Sequence, residues 1–223
     1  MSRGVFTDTL KRGHRAQRSR WAFFNSLLLA VLYFLYASSF AASSPFDDAS
    51  AAYERGDYVH AIKLFHQLAE QGHQWAQRRL GSMYADGKGV PQDYQEAVKW
   101  YRLAAAQGNT PAQYSLGLAY ERGQGVPQDY QEAVKWYRAA AEQGNQFAQI
   151  NLGVMYTNGT GVRPDFVRAH MWFTLAAATL SGDSADAATE NRDRIAAKMT
   201  AEQIATAQEM ARRCQESKLK NCD

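Results

Sequence analysis

The stretch GVPQDYQEAVKWYR runs from Gly89 to Arg102, and the same fourteen letters occur again from Gly125 to Arg138. A catalytic loop is normally present once, because one reaction needs one set of chemical groups. A stretch that returns after 36 residues instead indicates a structural unit stacked on copies of itself, since periods of about 20–50 residues are typical of solenoids. This repeat therefore decides the fold.

The period extends well beyond the identical letters. Small and aromatic residues keep the register through three copies, at Ala76, Ala112 and Ala148, at Leu80, Leu116 and Leu152, at Gly81, Gly117 and Gly153, and at Trp100, Trp136 and Trp172. A shorter copy precedes them and ends in LFHQLAEQG, and terminal repeats are often atypical because one side of them faces water. The sequence thus predicts a repeat domain over residues 42–178, with a partial copy at 46–72 and full copies at 73–108, 109–144 and 145–178.

Each copy predicts two helices joined by a turn. In the first full copy, apolar residues recur at three- and four-residue steps between Ala76 and Tyr84, as one buried helical stripe requires. The segment 87–91, GKGVP, ends this helix, because glycine takes positive φ and proline cannot continue a helix. Asp93 is expected to cap the second helix, with Glu96 placed for a capping box.

Two further features of the helices concern packing. Gly81 and its copies lie inside the first helix, where glycine costs up to about 1 kcal/mol relative to alanine. We expect the compensation to be a close approach of two helix backbones, with the bulky Trp and Tyr of the second helix filling the adjacent gaps. The tryptophans of the second helices, at positions 100, 136 and 172, share their register with inward-facing alanines and are expected to lie in the core.

The fixed positions, written A-x-x-x-L-G-x-x-Y-x-x-G-x-G-V-x-x-D-x-x-x-A-x-x-W-[YF]-x-x-A-A, resemble the Sel-one-like repeat, a relative of the tetratricopeptide repeat. The pattern covers Ala76 to Ala105, Ala112 to Ala141 and Ala148 to Ala177. The resemblance implies an all-α fold, an α/α solenoid (superhelix) of helix–turn–helix repeats, used as a scaffold for protein–protein contacts and often found in bacterial envelope or signalling assemblies. The family's fixed positions are structural, so the resemblance implies no catalytic residue and no cofactor.

The first 41 residues have the features of a targeting segment. Six basic residues and one acidic residue precede the apolar run LLLAVLYFLY at 27–36, and small residues follow it. This order is typical of a secretory signal peptide, and Ser39 and Ala41 place the cleavage after Ala41. The alternative is an uncleaved membrane anchor, because residues 21–40 are long enough to span a bilayer. Both explanations place the repeats in the periplasm, since the positive end stays inside.

The net charge of +3 belongs to this leader. The chain has 25 basic and 22 acidic side chains, and without residues 1–41 there remain 19 basic and 21 acidic ones. A nucleic-acid-binding domain would carry a basic stripe on its folded surface, so this balance argues against nucleic acid as a partner. Contact with the membrane is expected only through the leader.

The region after the repeats, 179–223, predicts a C-terminal helical cap. A helix is expected over 185–199, and Thr200 with Gln203 resembles a capping box that opens a second helix ending near Cys214. Cys214 and Cys222 are the only cysteines of the chain. In an exported protein they are best explained as one disulfide that closes a short loop.

No motif in the sequence indicates a catalytic or metal site, and the chain is not expected to be an enzyme. His60, His66 and His73 lie six and seven residues apart, whereas helical metal pairs prefer a spacing of about four residues. We interpret the three histidines as solvent-side helix positions. The aspartates repeated at the start of the second helices are explained by capping.

Positions that vary between copies are where the specificity of a solenoid can lie, because the constant positions maintain the stack. On the first helices, the variable positions hold arginines and aromatic residues, which are the usual anchors of protein interfaces. The candidate partner-binding residues are Trp75, Arg78, Arg79, Tyr114, Ser115, Phe147, Ile150 and Asn151. The leading hypothesis is a non-catalytic scaffold or adaptor of the bacterial cell envelope that binds another protein on the concave face. The alternative is a module that binds peptidoglycan or another envelope glycan in the same groove.

Overall fold

Each copy of the repeat forms a pair of helices in the computed structural model, which describes residues 44–220 and 222. This part of the chain contains ten α-helices and no strand. They are α1 Pro45–Glu54, α2 Tyr58–Glu70, α3 Gln74–Asp86, α4 Tyr94–Ala106, α5 Thr110–Arg122, α6 Tyr130–Ala141, α7 Gln146–Asn158, α8 Phe166–Ala177, α9 Asp183–Ala196 and α10 Ala201–Glu216. The three full copies are α3 with α4, α5 with α6, and α7 with α8. From α1 to α9, each helix packs on the next, as the predicted solenoid requires.

The helices from α1 to α10 belong to one compact unit, Pro45–Asp223. The leader predicted over residues 1–41, as a cleaved signal peptide or as a membrane anchor, lies outside the described residues. Within the described part, no helix has both the length and the apolar character that a membrane span needs.

The first helix of each copy begins at a capping side chain and ends at a glycine of the predicted break. His73 and Asn109 cap α3 and α5, because a side-chain atom of each accepts a hydrogen bond from the backbone amide three residues on. Both helices end at a glycine in the left-handed conformation, with φ of 67° at Gly87 and at Gly123. Glycine takes this conformation without steric cost, so the predicted breaks are confirmed.

The second helices begin at the predicted aspartates, but the predicted capping box is wrong. The carboxylate of Asp93 accepts hydrogen bonds from the backbone amides of Gln95 and Glu96, as expected of an N-cap. The amide of Asp93 donates to the carbonyl of Tyr84 at 2.9 Å and is therefore already occupied. The Glu96 carboxylate forms an ion pair with Lys99 instead. The Asp93 amide thus ties the start of α4 to the end of α3.

The glycine inside each first helix lies beneath an aromatic ring of the following helix. A Cβ atom at Gly81 would lie 2.7 Å from the ring of Tyr101, and one at Gly153 would lie 2.6 Å from the ring of Phe173. The predicted close approach is confirmed, but its nearest partner is a side chain. The nearest backbone atom at Gly81, the carbonyl oxygen of Ala97, lies 3.0 Å from that Cβ position. The ring therefore sets the contact between the two helices.

The three tryptophans of the repeat differ in burial. Trp172 is fully buried, as predicted, whereas Trp100 and Trp136 are only half-buried. Trp100 meets the ring of His66 with its edge, at 5.5 Å between centroids, and the ammonium of Lys135 lies 5.6 Å from the centre of the Trp136 ring. The prediction of a core position is therefore wrong for the outer part of these two rings, because only Trp172 has a cap packed over it.

A row of buried glutamines, which the repeat pattern alone does not predict, connects successive copies. They are Gln77, Gln113 and Gln149, each at most 6% exposed. The Nε2 of Gln77 donates to the carbonyl of Ala69 in α2 at 3.0 Å, and its two equivalents make the same bond. Gln107 then donates to the Oε1 of Gln77 at 2.7 Å, and Gln143 donates to Gln113 at the same distance. Both ends of the buried amide are thus satisfied in the first two copies, as burial of a polar group requires.

Helices α9 and α10 both pack against α8 and form the predicted C-terminal cap. Ile195 of α9 and Ala211 of α10 belong to the same buried cluster as Trp172. The capping box at the start of α10 is present, with both of its hydrogen bonds, between Thr200 and Gln203. The cap therefore closes the apolar end of the last repeat.

Cys214, in the last turn of α10, meets Cys222, which follows the helix. Their Cα atoms lie 4.7 Å apart, within the range of disulfides, and both residues are buried. The chain turns back between them through hydrogen bonds from the hydroxyl of Ser217 to the carbonyls of Cys214 and Lys220, at 2.8 and 2.6 Å. Cys214 and Cys222 thus form a disulfide-capable pair, and their oxidation in the native protein stays a prediction.

Candidate functional site: the face of the first helices

We call the sides of α3, α5 and α7 that carry the eight candidate residues the first-helix face. Two large aromatic side chains stand at its two ends. Trp75 on α3 and Phe147 on α7 occupy the same position in the first and third copies and are 48% and 50% exposed. Aromatic residues with this exposure are frequent anchors of protein interfaces.

Four of the candidate residues lie together at the junction of the second and third copies. The ring centroid of Tyr114 lies 6.2 Å from that of Phe147 and 5.8 Å from that of Tyr137. The side chain of Asn151 hydrogen-bonds the hydroxyls of both tyrosines. Ile150 is partly buried and packs against the core of the last copy. This junction therefore combines aromatic and aliphatic surface with the polar groups of Asn151 and of the two tyrosine hydroxyls.

The two arginines lie at the other end of the face, beside α1. The guanidinium of Arg79 stacks over the ring of Tyr53, with 5.0 Å between its carbon and the ring centre. Arg78 is partly buried, and its Nε atom is buried without a hydrogen-bond partner. Burial lowers the pKa of Arg78, and the positive charge of Arg79 lowers it further. Among residues 44–220, neither arginine forms an ion pair with a carboxylate.

Ser115 is also engaged within the fold. The hydroxyl of Ser115 donates to the carbonyl of Pro111 at 3.0 Å and also hydrogen-bonds Tyr101. Its hydrogen-bonding capacity is therefore largely used inside the protein. A role for Ser115 in partner binding stays a prediction, as it does for the other seven residues.

Two buried tyrosines of the second helices, which the sequence did not indicate as site residues, contact the first helices behind this face. The hydroxyl of Tyr137 donates to Glu121 of α5, and that of Tyr101 bonds Ser115. Burial raises the pKa of Tyr137, and the bond to Glu121 raises it further. The sequence did contain a signal for this role. The third copy has Phe173 at the equivalent position, so the packing does not require the hydroxyls of Tyr101 and Tyr137.

The three histidines have separate structural roles. His60 is exposed on α2, His66 lies 3.4 Å from the carboxylate of Glu70, and His73 accepts the amide of Ala76 at 3.2 Å as the cap of α3. Among the described residues, no three side chains of the types that ligate metals gather in one place.

The repeat itself decides the family. The model of the Sel1 repeat matches residues 50–73, 76–109, 110–145 and 146–178, which together are more than half of the chain. The chain belongs to the Sel1 repeat family. Its Sel1 repeats comprise the second half of α1, all of α2 and of α4 to α8, and α3 from its third residue onward; the cap lies beyond the last matched residue. No curated protein matches the chain.

Two solved structures support the same fold. The crystal structure of a Sel1 repeat protein from Oxalobacter formigenes is similar over 68% of this chain, with 31% identity and a TM-score of 0.62. A protective antigen of uropathogenic Escherichia coli strains, which displays an SLR fold, is similar over 73% of this chain, with 31% identity and a TM-score of 0.54. The matches cover 59% and 42% of those two proteins, so the chain spans less than two thirds of either.

Membership bears on function at a general level. Sel1 repeats generally mediate protein–protein interaction, and the family is typically a non-catalytic scaffold.

Proposed function

We propose that this Sel1 repeat chain is a non-catalytic adaptor of the bacterial cell envelope that binds a protein partner on the first-helix face, which we expect to be the concave side. The cluster of Tyr114 and Phe147 is the observation that carries the proposal. The buried sides of α5 and α7, with Leu116 and Leu152, serve the stack. The aromatic sides remain exposed and vary from copy to copy, as a specific binding surface requires.

The test is truncation of the exposed aromatic ring. Phe147→Ala should lower the free energy of unfolding by no more than about 1.5 kcal/mol, because the ring is half-exposed and its loss removes one aromatic contact, that with Tyr114. It should weaken capture of the partner by about 2 kcal/mol or more if Phe147 is an anchor. The measurements are a thermal melt and a pull-down from envelope extract with the tagged protein.

Val59→Ala is the matched control, because Val59 is a 59% exposed apolar residue of α2, a second helix. Equal capture by the Phe147→Ala and Val59→Ala variants would contradict the proposal. Co-sedimentation with purified peptidoglycan sacculi tests the alternative ligand. If the protein sediments with sacculi and Trp75→Ala abolishes this, a glycan is the ligand of the face and the adaptor proposal is wrong.

The location in the envelope is supported by the predicted leader and by the disulfide-capable pair. We expect native protein to begin near Ala42 and to yield Cys214 and Cys222 as one linked peptide in non-reducing mass spectrometry. A disulfide indicates an oxidising compartment, since thiols stay reduced in the cytosol. Native protein that starts at Met1 and contains two free thiols would contradict export.

A further inference from the structure

The first-helix face changes its chemical character from one end of the repeats to the other. Two adjacent positions hold Arg78 and Arg79 in the first copy, Tyr114 and Ser115 in the second, and Ile150 and Asn151 in the third. The position one turn later holds Ser82, Leu118 and Val154. Positive charge is thus concentrated in the first copy, and apolar surface increases toward the third.

Among the described residues, Arg78 forms no ion pair with a carboxylate. Asp86 is the carboxylate whose charge acts on it, and that carboxylate lies 3.5 Å from the ammonium of Lys88, with which it is paired. Arg79 adds a second positive charge beside it and lies over Tyr53. A partly buried charge is unfavourable unless it is paired, so the guanidinium is in an environment that an incoming anion would improve.

The surroundings of Arg78 are held in place by other contacts. The hydroxyl of Tyr53 accepts a hydrogen bond from Lys88 at 2.7 Å, and the ring of Tyr53 makes a cation–π contact with the guanidinium of Arg79. The hydroxyl of Tyr101, which lies close to Arg78, is bonded by Ser82 and Ser115. Fixed neighbours reduce the entropy that the arginine loses when it binds a ligand. A planar guanidinium in such a place matches a carboxylate, which it can bind through two parallel hydrogen bonds.

We propose that Arg78, assisted by Arg79, binds a carboxylate of the protein partner, and that the same partner segment continues into apolar residues that lie on Tyr114 and Phe147. This inference rests on the proposed function and specifies its ligand as a segment that is acidic at one end and apolar at the other. The carboxylate belongs either to an acidic side chain or to the end of a chain, because both present the same two oxygens.

Three fluorescein-labelled synthetic peptides distinguish these possibilities. The first has one aspartate, a glycine–serine spacer and a Phe-Leu-Phe end, with both termini blocked. The second has asparagine in place of the aspartate. The third has the reverse order, no aspartate and a free C-terminal carboxylate. Fluorescence anisotropy should show that an acidic peptide binds the full folded chain about tenfold or more tightly than the asparagine peptide, the difference expected of one charge-assisted contact. The tighter of the two acidic peptides identifies the source of the carboxylate.

The variants Arg78→Gln and Arg194→Gln locate the binding group. Arg194 of α9 is exposed and lines a cleft of about 320 Å³ beside Val154, at the apolar end of the face, so its replacement removes the same charge elsewhere. The preference for the acidic peptide should disappear in Arg78→Gln and persist in Arg194→Gln, with both variants folded by circular dichroism. Equal binding of all three peptides, no binding of any, or loss of the preference only in Arg194→Gln overturns the inference.

Capture of the native partner separates this inference from the proposed function. If Phe147→Ala loses the partner while Arg78→Gln retains it with unchanged affinity, the face binds a protein and the carboxylate contact is wrong. If Phe147→Ala retains the partner, the proposed function itself is wrong.

Discussion

Gly117 and its equivalents leave a space on the first helix of each copy, and an aromatic ring of the second helix fills it. A Cβ atom at Gly117 would meet the ring of Tyr137. This contact would be even closer than the contact between a Cβ atom at Gly81 and the ring of Tyr101. The sequence could predict that this glycine matters, because it recurs inside a helix where glycine is unfavourable. It also indicated the bulky Trp and Tyr of the second helix as the groups that fill the adjacent gaps, but the spacing could not decide that the Tyr ring is the one that lies on the glycine.

The contact predicts a dependence of one substitution on another. Gly117→Ala should destabilise the protein by about 1–3 kcal/mol, because the new methyl group forces the Tyr137 ring out of a tight site. In a Tyr137→Ala background the space is empty, and Gly117→Ala should stabilise by up to about 1 kcal/mol through its higher helix propensity. Urea unfolding of the four proteins of this double-mutant cycle measures the coupling. The same cost of Gly117→Ala in both backgrounds would show that the ring is not responsible.

At the scale of helices, the junctions between copies depend on buried amides as well as on apolar packing. Gln77 and Gln113 each donate to a carbonyl and accept from a further glutamine, whereas the Oε1 of Gln149 in the last copy has no hydrogen-bond partner. The position equivalent to Gln143 is Thr179 there. Sequence reasoning found the helices and most of their caps, but a glutamine in a helix is normally a surface residue. Only the packed junction reveals that this one is buried.

Completion of the row should stabilise the last junction. Thr179→Gln places an amide where it can donate to the Oε1 of Gln149, and the gain should be about 0.5–1.5 kcal/mol, the net value of one hydrogen bond. Thr179 is exposed, so a longer side chain fits there. Thr179→Glu is the control, because a carboxylate has nearly the same shape but cannot donate. Urea midpoints for both variants provide the measurement, and an equal change in the two would rule out the hydrogen bond.

At the scale of the whole molecule, the cap makes the last copy different from the others. His170 of α8 is 3% exposed and stands where the two previous copies have Val98 and Val134. The sequence could predict a solenoid with a helical cap, since repeats and capping boxes are local patterns. It could not predict that the cap packs over a buried histidine, because the helix that covers His170 comes from outside the repeat.

This histidine should make the stability of the capped array depend on pH. Burial lowers the pKa of His170, and Arg192 of α9 lowers it further against the opposing effect of Asp193. The folded-state pKa therefore lies below the unfolded value of 6.5, so the unfolded chain takes up a proton first as the pH falls. The contribution of neutral His170 to the free energy of unfolding should be complete above about pH 6.5 and should decline as the pH falls from there towards the folded-state pKa.

The variant His170→Val, which has the residue of the other copies at this position, should lack this part of the decline. Urea unfolding from pH 8 to pH 5 measures the difference in unfolding free energy between the two proteins. The titration of the carboxylates cancels in this difference, because both proteins contain the same ones. Parallel curves for the two proteins would contradict the prediction, and hydrogen exchange that accelerates first in α9 at low pH would show that the cap opens before the repeats unfold.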